Sequence, residues 1–205
     1  MRFPFYLYGW LYGSSIDFLL KNIRRNMALY SHRYSLFPLL DMCCGTGAQC
    51  RLLAEYHNQI VGLDLDLKML IYASFKSPRL PFVCSDASSS PFKDMIFKGI
   101  IISYALHEKL PEIRQKMISE ARKLIMPGGK IIFLDYDPPW NLKSRLARVY
   151  ISLIERGGGT DHFHRFNDFL GQGGLTGFLG REKFRKIERY DIDWASSRIF
   201  LAEFD

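Results

Sequence analysis

The chain is poor in cysteine, with four in 205 residues, and none stands in a C-x-x-C or mixed Cys/His ligand spacing. That excludes a disulfide framework and gives no sequence basis for a structural metal centre. Blocks of five or six like charges are missing, as are internal repeats and low-complexity linkers, so neither a charged tail nor a solenoid is expected. There is also no apolar run of the roughly 20 residues needed to span a bilayer. The N-terminal MRFPFYLYGWLYGSSIDFLL comes nearest, but Gly9, Gly13, Ser14, Ser15 and Asp17 interrupt it. It lacks the preceding basic region and the following small-residue cleavage site of a secretion signal. The expectation is a soluble protein in a reducing cytoplasm, with membrane-surface contact by the aromatic N-terminal segment left open.

What the chain has in quantity is apolar side chains, 48% of the total, of which the aromatics (15%) are a high share. A chain of this length buries roughly 70% of its unfolded surface, so a single domain over 1–205 is expected. The net charge of +7, from 28 basic and 21 acidic residues, leans towards acidic partners but is spread along the chain.

Strand-like and helix-like segments alternate. Ile16, Leu19, Leu20, Ile23 and Met27 share one helical face, with Ser14 or Ser15 as its cap. FPLLDM (37–42), IVGLD (60–64), LPFVCSD (80–86), GIIISY (99–104) and KIIFLDY (130–136) read as five strands. Helices through Leu52 and Leu53, through Met69, Leu70 and Tyr72, and from Pro111 through Ile113, Met117, Ala121 and Leu124 separate them. Pro78 ends the second of these, and MPGGK is a turn into the fifth strand. The strands are apolar without alternation, as parallel strands covered on both faces are. This predicts an α/β fold, a doubly wound, Rossmann-like, mostly parallel sheet with helices on both faces.

The last third departs from that rhythm. Leu142, Leu146, Val149 and Leu153 mark a further helix, and DHFHRFNDFLGQGGLTGFLG predicts one helix with a glycine-rich turn. FRKIERYDIDWASSRIFLAEF predicts a closing antiparallel hairpin that brings the sheet to seven strands.

The chemistry-bearing residues sit at the ends of the first strands, where open α/β sheets bind ligands. Gly45 and Gly47 let the backbone approach a ligand and accept positive φ at little cost. Asp64 ends the second strand, placed to accept from two ribose hydroxyls. Asp86 ends the third and is followed by Ala87; a carboxylate there can accept from the exocyclic amine of adenine. Three successive strand ends supplying what an adenosine ligand needs are more specific than the glycines alone. GTGAQC lacks the third glycine of the dinucleotide fingerprint, which weakens a dinucleotide-dependent oxidoreductase as the alternative.

On these residues the chain resembles the class I S-adenosylmethionine-dependent methyltransferases, and within them the ubiquinone/menaquinone-biosynthesis C-methyltransferase-like branch. The likeness covers about 36–137 and lies in LLDMCCGTG, VGLDLDLKML, SDASSSPF, IISYALHE and LIMPGGKIIFLD. It implies S-adenosylmethionine as cofactor and S-adenosylhomocysteine as product. Asp41, Cys43, Gly45, Thr46 and Gly47 would surround the methionine part, Asp64 the ribose, Leu65 the adenine face, and Asp86 with Ala87 the adenine edge. Ser103 and Tyr104 would lie near the methyl group. Cys43 stands where the usual D-x-G-x-G-x-G has its first glycine. The resemblance divides the domain into a helical cap (1–35), a cofactor-binding core (36–137), a helical acceptor-side insert (138–182) and the hairpin (183–205). It makes the protein an enzyme acting on a small, hydrophobic or aromatic metabolite.

Methyl transfer from a sulfonium needs positioning and the exclusion of water, and a base only for a protonated acceptor. His107, just beyond the fourth strand, is the candidate base. Tyr136, His162 and His164 are candidate acceptor contacts, with Asp135 and Asp137 beside Tyr136. The two-residue spacing of His162 and His164 does not put both on one helical face, so no metal is expected. The ladder Tyr6, Tyr8, Trp10 and Tyr12 either packs or caps the cofactor's cationic sulfur. Asp137-Pro138-Pro139-Trp140 matches the signature of nucleic-acid amino-methyltransferases but follows the fifth strand instead of the fourth. A nucleic-acid target is therefore kept only as an alternative, and a non-catalytic cofactor sensor as another.

Overall fold

In the computed structural model, residues 20–192 and 195–204 are described, side chains at 185–187 excepted. The aromatic ladder Tyr6, Tyr8, Trp10 and Tyr12 and the serine caps lie outside them. The chain packs as two compact units, one of Met1–Ile101 with Met117–Gly129 and one of Ile102–Lys116 with Lys130–Asp205.

In the first unit, helix α1 (20–33) buries Ile23 and Met27 as the helical spacing predicts, with Ala28 beside them, while Leu20 is half-buried. Strand β1 (Leu39–Met42) is buried along its whole length. Helix α2 (Ala48–Leu53), strand β2 (Ile60–Asp64), helix α3 (Leu67–Lys76) and strand β3 (Phe82–Cys84) follow. β1 pairs with β2 and β2 with β3, both parallel, with Asp41 opposite Gly62 and Asp64 opposite Cys84. The strand ends carrying Asp41, Asp64 and the Asp86 turn therefore share one edge of this part of the sheet. Asp66 caps α3 by accepting from the N–H groups of Lys68 (2.8 Å) and Met69 (3.3 Å), and the helix stops short of Pro78 as expected. β3 is shorter and more exposed than the run 80–86 predicts. It is the outer strand of the sheet, with one hydrogen-bonded neighbour.

Strand β4 (Phe97–Ser103), helix α4 (Pro111–Leu124) and strand β5 (Ile125–Tyr136) come next. MPGGK belongs to β5 and is not a separate turn; Gly128 takes a φ of 74° that a side chain would resist. In the second unit, helix α5 (Leu142–Arg156) opens on a capping box between Asn141 and Ser144. The helix is present as the spacing predicts, and its buried face is not the leucine stripe. Leu142, Leu146, Val149 and Leu153 are exposed, while Ser144, Ile151 and Glu155 are buried. Ile151 packs with Phe166 and Leu170 of helix α6 (Thr160–Gly171), with Tyr136 beside them. Two stripes on α5 have helical spacing, and periodicity does not say which one meets a neighbour.

The glycine-rich segment turns at Gly173 and starts a further short helix, α7 (Gly174–Leu179). The predicted hairpin is present as β6 (Phe184–Ile192) and β7 (Ser197–Phe204), with β7 also antiparallel to β5. The seven strands run in the order β3-β2-β1-β4-β5-β7-β6. Among the described residues no helix is long and apolar enough to cross a membrane.

Candidate functional site

The loop between β1 and α2 is held by backbone and carboxylate together. The Gly45 N–H donates to Asp64 Oδ2 at 2.7 Å, and the Asp66 N–H to Asp64 Oδ1 at 2.9 Å. Cys44 N–H donates to Leu63 O (2.9 Å), and Arg51 Nη1 closes the loop on Thr46 O (2.8 Å). The two glycines differ in purpose. A Cβ on Gly47 would meet the Phe82 ring at 2.9 Å, so its small size serves packing. At Gly45 a Cβ would meet nothing within 4 Å, so its bareness leaves open space beside Asp64. Cys43, where glycine is usual, has a φ of 67°, a left-handed conformation that explains why glycine suits the place.

Leu65, next to Asp64, is 69% exposed, a large apolar side chain that a planar ligand face would cover. Asp86, exposed, takes the Ser88 N–H on its Oδ1 (2.8 Å), and Ala87 is buried behind it. The structure thus brings Gly45, Asp64, Leu65, Asp86 and Ala87 to the same edge of the parallel strands. Thr46 and Asp41 lie buried below them.

Asp41 is a support and not a surface contact. Its Oδ2 accepts from Cys50 Sγ at 3.2 Å. Burial raises its carboxyl to about 6, against the pull of Cys50 and Arg24. For Cys50, its bond with Cys44 and then burial push the thiol well above its ordinary value. Cys44 is drawn down by Cys50, yet burial and Asp41 leave it raised overall. Neither is a thiolate at neutral pH, and a reactive role requires one. All four cysteines are free, with Cys84 exposed at the end of β3.

A pH dependence follows. Because the folded Asp41 binds its proton more tightly than the unfolded one, its stabilising contribution is complete below about pH 3.8 and is lost as pH rises through about 6. The loss amounts to about 3 kcal/mol. Urea unfolding of wild type and Asp41→Asn across this range is expected to show the variant gaining on wild type as pH rises; a constant difference would refute this account.

The second unit holds the remaining candidates. Tyr104 follows the last residue of β4, half-buried Ser103, with a φ of 49°, which is strained for a bulky side chain and typical of functional positions. Its hydroxyl donates to Ser197 Oγ (3.1 Å), and its ring lies 5.0 Å from that of Tyr136. His107 is buried, 4% exposed, and its Nδ1 lies 2.7 Å from Asp135 Oδ1. Facing a carboxylate, Nδ1 carries the proton. The other oxygen of Asp135 takes the N–H groups of Leu106 (2.9 Å) and His107 (3.2 Å), fixing the loop that bears the imidazole. Arg114 adds a bond from Nε to Leu106 O (2.8 Å) and stacks over Phe169.

His162, on α6, hydrogen-bonds through Nε2 to Glu155 Oε2, and Tyr136 donates to Glu155 Oε1 at 2.9 Å. His107 Nε2 stands 3.6 Å from Glu155 Oε2. Burial works against the Glu155 charge, but His107, His162 and Tyr136 hold its carboxyl down to about 2. Burial likewise opposes a charged His107, yet Asp135 and then Glu155 raise it to about 10. Burial, with Glu155, pushes the Tyr136 phenol well above its usual value. His164 points elsewhere; it is exposed on α6.

Sequence reasoning missed Glu155 and Arg114. Glu155 was hidden because the helical spacing of α5 does not say which of its stripes meets a neighbour. A glutamate four residues beyond Ile151 on the polar side was the available signal.

Asp137 is fully buried and committed internally. It accepts from Thr176 N (2.9 Å), Thr176 Oγ1 (2.6 Å) and Arg198 Nη1 (2.8 Å). Arg198 in turn lies over the Trp140 ring at 4.4 Å. The Asp-Pro-Pro-Trp segment is thus a structural joint between β5, α7 and β7, and its carboxylate is not offered to a target amine.

Comparison with known proteins agrees with these features. A profile described as a methyltransferase domain matches residues 40–133. An uncharacterized methyltransferase of Synechocystis is 31% identical over 158 residues, covering 73% of this chain and 74% of that protein. The 2-phytyl-1,4-naphtoquinone methyltransferase of Thermosynechococcus vestitus is 35% identical over 108 residues, covering 49% of this chain and 46% of its own length. The chain therefore spans about half the length of that relative. In fold, magnesium protoporphyrin IX methyltransferase from Synechocystis, solved with S-adenosylhomocysteine, aligns with a TM-score of 0.63 at 18% identity, over 90% of this chain and 83% of that one. The chain belongs to the class I S-adenosylmethionine-dependent methyltransferases. That membership sets aside the oxidoreductase alternative.

Proposed function

We propose that this protein binds S-adenosylmethionine at the strand edge of its first unit and methylates a small, hydrophobic, aromatic acceptor of quinol type. The observation that carries the reading is the Asp64 group. Its carboxylate is tied to the Gly45 N–H and flanked by open space at Gly45 and by exposed Leu65, with Asp86 at the next strand end. Asp64 would accept from the ribose, Leu65 would pack on adenine, and Asp86 with Ala87 would read its edge. Thr46, Gly47 and Cys43 shape the loop along the methionine part, and Asp41 supports it from below. Ser103, Tyr104, Tyr136 and His162 belong to the acceptor side, with His164 at its exposed margin. His107 is the acceptor-side group, with Nδ1 committed to Asp135 and Nε2 facing Glu155 at 3.6 Å. The relative named a 2-phytyl-1,4-naphtoquinone methyltransferase supports a fused ring of quinone or quinol type as acceptor.

Calorimetry is the test of the ligand class. Binding of S-adenosylmethionine and of S-adenosylhomocysteine, with none of NAD, is expected; binding of NAD alone would overturn the reading. Incubating the protein with a labelled methyl donor and a set of quinols, phenols and polynucleotides then identifies the acceptor. Label on polynucleotide alone would favour the Asp137-to-Trp140 alternative instead.

A further inference from the structure

Three side chains from three different segments meet in the second unit. His107 Nε2, Glu155 Oε2 and His162 Nε2 all lie within 4.8 Å of one another. They come from the loop after β4, from α5 and from α6, so no sequence spacing announces them. We propose that His107, Glu155 and His162 form a binding site for a divalent first-row transition ion of the zinc or iron(II) class.

The orientation of each donor supports this. Asp135 holds the Nδ1–H of His107 at 2.7 Å, so Nε2 faces the cluster, and an ion binding there would displace its proton. A carboxylate behind a ligating imidazole is the usual support of such a ligand, fixing its tautomer and ring plane. Tyr136 occupies Glu155 Oε1 at 2.9 Å and leaves Oε2 directed at the two imidazoles. The 3.6 Å between His107 Nε2 and Glu155 Oε2 exceeds a hydrogen bond. It is close to the roughly 3.3 Å that separates two ligands of a tetrahedral ion bonded at about 2.0–2.1 Å. Glu155 and His162 stand closer than two such ligands, and His162, the least buried of the three, is the one that swings to admit the ion.

Two imidazoles and one carboxylate suit zinc, iron(II) or cobalt(II) better than magnesium or calcium, which prefer oxygen throughout. Three protein ligands also leave a coordination position open. Resting on the acceptor reading above, that position would take the hydroxyl of the quinol-type acceptor. On the ion the hydroxyl releases its proton to water, and the resulting ring anion is the nucleophile. Its electron pair forms the new bond to the methyl carbon; where a ring carbon takes the methyl, the hydrogen on that carbon is then lost to water as the ring regains aromaticity. The S–CH3 bond breaks, and its pair stays on sulfur as a neutral thioether.

The test uses the full chain, stripped with a chelator and titrated with zinc by calorimetry, and with cobalt(II) followed by its visible absorption. One ion per chain is expected, with intense cobalt bands of low-coordinate geometry. His162→Ala and Glu155→Gln should each weaken zinc binding by more than about 100-fold and abolish those bands, and Asp135→Asn should weaken it about 10–100-fold. Circular dichroism confirms that His162→Ala, a change at the rim, is folded. Equal zinc binding by wild type and His162→Ala, or a cobalt spectrum like that of the aqueous ion, would overturn the proposal and leave a plain hydrogen-bonded network. S-adenosylmethionine affinity, measured on the same samples, should be unchanged by these substitutions. Its absence from wild type would tell against the cofactor reading and not against the ion.

Discussion

Asp64→Ala is expected to weaken S-adenosylmethionine binding by about 100-fold or more. Hydrogen bonds to a charged group contribute about 1.5–3 kcal/mol each, and two ribose hydroxyls would lose their acceptor together. The substitution also frees the Gly45 and Asp66 N–H groups that the carboxylate now holds at 2.7 and 2.9 Å. Asp64→Asn separates the two contributions. Its side-chain oxygen still accepts from one N–H, so the loop stays in place while half of the ribose recognition is lost. Asp86→Ala, at an exposed site, should cost about tenfold, the loss of one bond. Calorimetry with S-adenosylmethionine measures both. Unchanged affinity in Asp64→Ala and Asp86→Ala alike would show that the cofactor does not bind at these strand ends.

Asp137→Ala should destabilise the protein by about 3 kcal/mol, with an unfolding temperature lower by roughly 6–12 °C. Removing one member of a buried ion pair leaves the other without its counter-charge, and Arg198 is nearly buried too. Burial pushes the Asp137 carboxyl above its ordinary value even though Thr176 and Arg198 pull it back, so the charge is held at a cost. That cost places the expected loss at the lower end for buried pairs, and Arg198 keeps a second partner in Asp191 at 2.9 Å. Asp137→Asn, which retains an acceptor for the Thr176 N–H, should lose about half as much. Thermal and urea unfolding decide the matter. A stable Asp137→Ala that had lost only activity would return the segment to the role its sequence signature suggests.

The contrast between these two aspartates shows what was legible in the sequence. Asp64 was found because its neighbours in sequence, a buried strand before it and a helix start after it, fix where a strand-end carboxylate goes. The same local logic gave Asp86, the two glycines of the loop and the closing hairpin. Asp137 was misleading because its signature is local while its partners, Thr176 and Arg198, lie 39 and 61 residues away. The cysteines show no ligand spacing, and in the structure Cys50 is tied to the buried Asp41.

The sequence by itself determined the strand–helix alternation, the parallel core and the edge at which Gly45, Asp64 and Asp86 are gathered. All of these follow from apolar runs and turn residues acting over a few positions. Only the tertiary structure decided which stripe of α5 faces inward and, with it, that Glu155 meets His107 and His162. Helical periodicity gives the spacing of a face but not its direction. The direction is set by which side chains of other segments pack against it, here Phe166 and Leu170 against Ile151.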